Sequence, residues 1–224
     1  MQSSTFGMGY FQQKSLSLGK RDRTRNLLID STINCFERMG PDRISIREIA
    51  TSVGLSNGTF YNYFNDLPEA LNAATYAVIY EVAVNLAERV EGVEDGLQKI
   101  VQSTLFFIDE MMQRPEWTKM VLHSWSVLLP PALDVAAGFR QDAELARRQG
   151  RLKAPITDFM ARQFMTTLAF GCKIWIDQEP TEEEVRQIIV TTLMILDLPR
   201  RQAEKEVDIG FRAVADELRL FSRD

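Results

Sequence analysis

Apolar residues recur at spacings of three and four along most of this 224-residue chain, and no other feature constrains its fold as strongly. Ile46, Ile49, Ala50 and Val53 fall at i, i+3, i+4 and i+7, which places them on one face of a helix. Similar stripes occupy four further segments: 29–36, 97–108, 185–196 and 207–221. Alternating runs typical of strands are nearly absent. The sequence therefore predicts an all-α protein of roughly nine or ten helices.

Composition narrows the class of protein. Hydrophobic residues make up 45% and charged residues 25% of the chain, which is typical of a globular protein. No segment approaches ~20 uninterrupted apolar residues, and the first 20 residues lack the apolar block of a secretion signal. Cys35 and Cys172 are far apart, which indicates neither a disulfide framework nor a zinc site. We expect a cytoplasmic protein without metal, cofactor or membrane partner.

Charge is distributed unevenly along the chain. Residues 1–66 carry eight Lys or Arg against six Asp or Glu, whereas residues 67–224 carry eighteen against twenty-five. A basic N-terminal segment followed by an acidic remainder is an asymmetry typical of proteins that contact nucleic acid. Five basic residues cluster before or within the start of the first predicted helix: Lys14, Lys20, Arg21, Arg23 and Arg25. This arm either follows DNA phosphates or is a solubilising tail, and the sequence favours neither.

Two short helices joined by a tight turn are predicted between Ser45 and Phe64. Gly54 follows Ala50 by one turn, where a bend between helices needs a residue that tolerates positive φ. A supporting helix, a short glycine-containing turn and a second helix are the parts of a helix-turn-helix. We expect the second, recognition helix to run from Asn57 to about Phe64.

The outer face of this second helix has the composition of a DNA-reading surface. Phe60 and Phe64 are spaced i, i+4 and are expected to be buried. The remaining residues suit hydrogen bonding to phosphates and base edges: Asn57, Gly58, Thr59, Tyr61, Asn62 and Tyr63. Gly58 costs ~1 kcal/mol in a helix relative to Ala, a cost that close approach of DNA would explain. On spacing alone, a buried helical hairpin without a DNA role remains the alternative.

The stretch from Ser45 to Phe64 reads SIREIATSVGLSNGTFYNYF and resembles the DNA-binding signature of the TetR family of transcriptional regulators. A predicted first helix precedes it, and Glu69 to Leu71 follow where that family begins its long fourth helix. The resemblance covers about residues 21–72, a quarter of the chain. It implies an N-terminal three-helix helix-turn-helix DNA-binding domain and a larger helical ligand-binding and dimerisation domain. The expected boundaries are 1–20 for a flexible arm, 21–65 for the DNA-binding domain and 66–224 for the body.

The resemblance also implies roles for particular residues. Ser45 and Arg47 would touch phosphate and a base edge at the start of the supporting helix. The major-groove residues would be Ser56, Asn57, Gly58 and Thr59, with Tyr61 and Tyr63 on backbone phosphates and Asn62 near a base. Leu67 stands where the family often has Lys, so one phosphate contact is expected to be lost. Tyr63 replaces a frequent His, which keeps a donor without the option of charge.

The body is rich in aromatic residues and Met. Core packing explains each of these residues singly, whereas as a group they are consistent with an adaptable apolar cavity between helices. The resemblance implies a cavity whose occupancy alters DNA affinity. The candidate lining residues are Phe106, Met111, Trp117, Met120, His123, Trp125, Phe164 and Trp175. Because few charges fall among them, we expect a small, largely apolar or aromatic effector, with His123 supplying one polar contact.

Two predicted helices, 156–177 and 181–196, are candidates for a homodimer interface. The first is apolar on more than one face, which is unusual for a surface helix of a monomer. TetR-like proteins pair through two such helices per subunit, and a twofold dimer reads a near-palindromic operator. The resemblance thus implies a ligand-responsive repressor. The alternatives are an activator of the same fold and a helical ligand-binding module without DNA binding.

An enzyme is not expected. The run from Gly54 to Gly58 matches the G-x-S-x-G nucleophile elbow of hydrolases, with Ser56 as the nucleophile. That motif requires a strand leading into the serine, whereas the periodicity here predicts a helix. His123 is the single histidine of the chain, so it would have to be the base and cannot form a His-cluster metal site.

Overall fold

The computed structural model describes residues 19–124 and 137–221. The described residues form ten helices and no strand, which confirms the all-α prediction. The chain divides into two compact units, one ending at Glu81 and the other beginning at Val82. This division falls inside one continuous helix, and the predicted boundary between 65 and 66 stays a prediction. The predicted arm, 1–20, lies almost entirely outside the described residues.

The first unit contains three helices and most of a fourth. They are α1 (Lys20–Met39), α2 (Ile46–Ser52), α3 (Asn57–Phe60) and α4 (Leu67–Arg89), of which α4 continues into the second unit. The first helix ends at Met39, because Gly40 adopts a φ of 76° and its N–H bonds to the carbonyl of Phe36.

The second unit is built around one buried helix. Its helices are α5 (Gly96–Gln113), α6 (Pro115–His123), α7 (Ala137–Arg148), α8 (Asp158–Ile174), α9 (Glu182–Ile195) and α10 (Arg200–Val214). Helix α5 packs against each of the other five. At its N-terminus Gly96 faces the backbone of α7, where an added Cβ would lie 2.6 Å from the carbonyl oxygen of Asp142. This close approach is possible only with glycine.

The sequence spacings Ser45-x-x-Glu48 and Thr181-x-x-Glu184 both match a capping box. Thr181 and Glu184 form a complete capping box, in which each side chain accepts a hydrogen bond from the other's backbone N–H. Ser45 accepts from the backbone N–H of Glu48 at 3.2 Å, and Ser56 caps α3 in the same way. Among the described residues, the Glu48 side chain accepts no hydrogen bond from the backbone N–H of Ser45 in return. The Ser45 box is therefore half formed.

The last predicted helix, 207–221, is wrong in its bounds. Helix α10 begins after Pro199 and ends at Val214. The backbone then turns, and the buried carboxylate of Asp109 on α5 accepts hydrogen bonds from the N–H groups of Arg219 and Leu220 at 2.9 and 2.7 Å. The apolar stripe beyond Val214 is therefore buried by a turn anchored on α5 rather than by a helix.

Helix α4 is the one described segment that is long and apolar enough to cross a membrane by length and composition. Its mean hydropathy is 1.2 over the best window, of which 44% is buried. Core helices of soluble proteins meet the same criterion, so this is weak support for a membrane span. The sequence predicts no membrane span, and α4 is the single described helix that departs from this prediction.

Candidate DNA-binding surface

The turn between α2 and α3 is closed by backbone hydrogen bonds that require a left-handed residue. Gly54 has a φ of 70°. Its N–H bonds to the carbonyl of Thr51 at 3.1 Å, and the N–H of Leu55 bonds to that of Ala50 at 2.9 Å. These two bonds define a Schellman motif, which ends α2 and directs the chain into α3. The positive φ predicted for Gly54 is confirmed.

Side chains hold α2 on α1. The Ser31 hydroxyl of α1 donates to the carbonyl of Ile49 at 2.7 Å and shares a hydrogen bond with Ser52. Ile49 and Ala50 are fully buried where α2 packs on α1. The supporting helix is thus fixed by both apolar packing and satisfied backbone acceptors.

The recognition helix is shorter than predicted. It is α-helical only over Asn57–Phe60, and Tyr61 to Tyr63 continue as hydrogen-bonded turns that lead to Phe64. A segment with Gly58 in its interior and β-branched Thr59 is a weak helix former, which accounts for the early end. Phe60 and Phe64 are buried as predicted, with ring centroids 5.5 Å apart.

Most residues predicted to bind DNA lie at the surface. Six of the nine are exposed: Arg47, Ser56, Asn57, Gly58, Tyr61 and Asn62. Ser45, Thr59 and Tyr63 are half-buried. The Tyr61 side chain, 56% exposed, is held edge-on against the Phe60 ring with centroids 5.8 Å apart. An outer polar face therefore rests on a buried aromatic pair.

Hydrogen bonds occupy two of these polar side chains. Ser56 Oγ accepts from the backbone N–H of Thr59 at 3.1 Å and lies 3.0 Å from Thr59 Oγ1. Ser56 and Thr59 thus stabilise the start of α3. Among the described residues, the side chains of Asn57, Tyr61 and Asn62 form no hydrogen bond, so their polar groups are available to a partner.

The start of α4 carries carboxylates. Asp66 Oδ1 accepts from the backbone N–H of Glu69 at 2.8 Å, and Glu69 Oε2 accepts from the backbone N–H and the amide of Asn65 at 2.7 and 2.8 Å. Leu67, the position of the expected lysine, lies between these two acidic residues. Two carboxylates at a helix N-terminus disfavour a phosphate at the same place.

One carboxyl group of this unit is poorly solvated. Burial, followed by the charge of Glu81 on α4, raises the pKa of Asp30 to about 6. Among the described residues, its Oδ2 atom has no hydrogen-bond partner. The sequence gives no signal for this pair, because Asp30 and Glu81 are 51 positions apart.

The described residues predicted to line a ligand cavity lie on α5, on α6, and on α8 or directly after its end, and α6 packs against both of the other helices. The side chains of six of them are almost completely buried: Phe106, Met111, Trp117, Met120, Phe164 and Trp175. His123, at the end of α6, is exposed instead. Trp125 lies outside the described residues.

The two helices predicted to pair subunits are adjacent in the body. Helix α9 packs closely on α8 at Gly171, where an added Cβ would clash with Ile188 Cδ1. The outward side chains of Phe170, Ile174 and Met194 are 46%, 66% and 45% exposed. Large exposed apolar side chains on neighbouring helices are typical of an interface.

One chemical alternative, the nucleophile elbow, fails on geometry. The run from Gly54 to Gly58 follows the end of α2 rather than a strand, so a nucleophile elbow is excluded. Across 19–124 and 137–221, no group of three or more His, Cys, Asp or Glu is placed to hold a metal ion. Burial raises the pKa of the Cys172 thiol to about 12, which makes it unreactive.

Comparison with known proteins agrees with this geometry. Residues 28–66 match the model of the bacterial regulatory proteins of the tetR family. The HTH-type transcriptional repressor Rv1474c of Mycobacterium tuberculosis is 24% identical over 145 residues, which cover 62% of this chain and 65% of that protein. The alignment thus spans less than two thirds of the relative's length.

Two solved structures share the fold. RolR in complex with resorcinol matches with a TM-score of 0.72 at 19% identity, covering 84% of this chain and 94% of RolR. FadR of Thermus thermophilus in complex with lauroyl-CoA, a TetR-family repressor, matches with a TM-score of 0.57 at 15% identity, covering 77% and 92%. The matched family and the named relative are transcriptional regulators rather than enzymes. Residues 28–66 thus match the DNA-binding region of the tetR family of bacterial regulatory proteins, and the chain shares its all-helical fold with a solved TetR-family repressor.

Proposed function

We propose that this protein is a cytoplasmic, homodimeric repressor that binds a near-palindromic operator and is released by a small, largely apolar or aromatic effector. One observation carries the DNA-binding part of the proposal. The residues that the TetR resemblance assigns to DNA form an exposed polar face over the buried pair Phe60 and Phe64. Ser45 and Ser56 also cap helices, whereas no hydrogen bond or ion pair among the described residues occupies the side chains of Arg47, Asn57 and Asn62.

The dimer proposal rests on the outward faces of α8 and α9. Phe170, Ile174 and Met194 expose apolar surface there, and burying that surface against a second copy is favourable. A twofold dimer presents two recognition helices, which can enter successive major grooves ~34–36 Å apart. Operator recognition therefore depends on this face as well as on α3.

The effector proposal rests on residue chemistry and on the fold relatives. Six buried aromatic and Met side chains meet where α5, α6 and α8 pack together. RolR was crystallised with resorcinol and FadR with lauroyl-CoA, so two proteins of this fold bind molecules with aromatic or long apolar parts. An effector that prefers one of two dimer geometries would shift operator affinity by its differential binding.

Selection of duplexes from a random pool, followed by titration of the enriched sequence, tests the DNA-binding part. We expect an inverted repeat, and we expect Arg47→Ala and Tyr61→Ala each to weaken binding at least about tenfold. Arg148→Gln, an exposed arginine of α7, is the control for loss of charge alone. A helical module without DNA binding would enrich no sequence. Transcription in vitro from a promoter that carries the selected sequence separates repression from activation.

Charge placed on the proposed interface tests the dimer. Phe170→Glu and Ile174→Glu are expected to yield monomers in light scattering and to reduce operator affinity more than a hundredfold, since one half-site remains. Ile209→Glu, at an exposed apolar position of α10, is the control and should stay dimeric. Dimers of unchanged stability in all three variants would contradict this interface.

Resorcinol and lauroyl-CoA are the first probes of effector release, because proteins of the same fold bind them. Calorimetry identifies which molecules bind, and operator release is then measured for those alone. Operator affinity that stays unchanged for every molecule that binds would contradict the release mechanism.

A further inference from the structure

Arg25 lies next to the proposed DNA-binding surface without an acidic partner. Its guanidinium carbon is 5.0 Å from the ring centroid of Phe64, within the range of a cation–π interaction. The residue is exposed, and it contacts no carboxylate among the described residues. Phe64 directly follows Tyr63, which is proposed to clamp a backbone phosphate.

Other stacked arginines of the chain provide an internal comparison. Arg89 lies over Phe106, Arg114 over Trp117 and Arg186 over Phe211. Each of these three also has a carboxylate within 4 Å, supplied respectively by Glu217, Glu110 and the pair Glu182 and Asp208. Stacking orients the guanidinium in every case, and an anion completes the site in three of them.

Arg25 also lies over an aromatic ring, at 5.0 Å from the centroid against 3.5 to 4.1 Å for the other three, and it lacks the anion. A guanidinium carries five N–H donors in a planar fork that matches phosphate or carboxylate. Holding it against an aromatic ring reduces the side-chain entropy lost on binding, so the fork is ready for an oxyanion. The start of α4 cannot bind an oxyanion in this way, because Asp66 and Glu69 place negative charge there.

We propose that Arg25, held on the Phe64 ring, binds a backbone phosphate of the operator and so positions the segment 61–64 on the duplex. This assignment rests on the proposed function. It makes α1 a third DNA-contacting element beside α2 and α3. The contact is independent of base sequence, so it contributes affinity and register rather than specificity.

Salt dependence measures the contact directly, because each neutralised phosphate changes the slope of log K against log salt by about 0.9. The selected operator is titrated at several salt concentrations with wild type, Arg25→Gln, Arg25→Lys and the control Arg148→Gln. A dimer has two copies of Arg25. We therefore expect Arg25→Gln to lower the slope by about 1.8 and to weaken binding at least about tenfold.

The Arg25→Lys variant distinguishes a fork from a point charge. Lysine keeps the charge but cannot bind bidentately, so the slope should stay while the affinity falls about threefold. Melting temperatures of all variants should stay within about 4 °C of wild type, since an exposed cation–π contact contributes little to stability. Arg25→Gln with the slope and affinity of Arg148→Gln would overturn the assignment while leaving the proposed function intact. A wild type that enriches no duplex would overturn the proposed function itself, and the Arg25 contact with it.

Discussion

In the unit that ends at Glu81, Arg25, Arg43 and Arg47 contact no carboxylate among the described residues, whereas in the unit that begins at Val82, Arg151 and Arg186 each bridge two. Arg151 reaches Glu206, buried on α10, at 2.7 Å. Arg151 and Arg186 therefore join elements of the body, whereas these three arginines of the first unit form no ion pair among the described residues.

Glycines differ between the units in the same way. Gly96 in the body faces backbone atoms of α7, so the fold itself requires it. At Gly58 in α3, an added Cβ would meet only Ser56 Oγ at 3.7 Å, an ordinary van der Waals distance. Internal packing thus explains why position 96 is glycine. It gives no reason for glycine at position 58, whereas close approach of an external surface would. The following substitutions test this contrast between a body built on internal contacts and a first unit that keeps surface free.

Gly96→Ala should produce the largest loss of stability. The new Cβ would overlap the backbone of α7 at Asp142 and Ala146, and backbone cannot move aside as a flexible side chain can. We expect the free energy of unfolding to fall by about 3 kcal/mol. Urea denaturation measures it, with Gly92→Ala as the control because nothing lies within 4 Å of its added Cβ. Equal stability of the two variants would contradict the tight packing of α5 on α7.

Asp109→Asn should have the next largest effect. The buried carboxylate accepts the N–H groups of Arg219 and Leu220, and a neutral amide accepts more weakly and adds donors that lack a partner. We expect a loss of about 2 kcal/mol in the free energy of unfolding and faster proteolysis of the C-terminal turn. The exposed Asp216→Asn is the control. Unchanged cleavage in the Asp109 variant would show that this carboxylate does not anchor the turn.

A smaller effect is expected from Asp30. Burial and the charge of Glu81 raise its pKa to about 6 in the folded state, so below pH 6 the folded chain binds more protons than the unfolded chain does. The contribution of this group to stability therefore increases as the pH falls from 7 to 4. Solvent screening limits it to less than about 1 kcal/mol.

Asp30→Asn should remove this pH dependence and slightly raise the stability at pH 7. Urea denaturation of wild type and variant at pH 7 and pH 5 measures the difference. Asp42→Asn, in the exposed loop after α1, should keep the wild-type dependence. Identical pH profiles in wild type and Asp30→Asn would mean that the carboxyl is solvated.

Local signals in the sequence predicted the turns and caps because short-range geometry determines them. Gly54 adopts its positive φ, and Thr181 and Glu184 form the capping box, because each feature depends on residues within four positions. The recognition segment was predicted too long, since the Phe60 and Phe64 spacing is satisfied by a turn as well as by a helix.

Long-range contacts were not predictable in this way. Nothing in the residues around Leu218 reveals that Asp109, more than 100 positions earlier, accepts the backbone N–H groups of Arg219 and Leu220. Arg25 likewise reads as one of several basic residues in a row, and only the fold places it on Phe64. The predicted surface residues were found because their composition is unusual for a solvated face, and their roles on DNA stay predictions.

Gly58→Ala tests most directly the claim that α3 keeps its surface for DNA. The protein alone has room for the methyl group, and Ala is the better helix former, so the free energy of unfolding should rise by up to about 1 kcal/mol. Affinity for the selected operator should fall at least about tenfold, because the methyl group would occupy space that DNA fills. Gly138→Ala, at an exposed helical glycine of α7 with open space around it, should gain stability and keep its affinity. A Gly58→Ala protein that binds the operator as tightly as wild type would contradict the account.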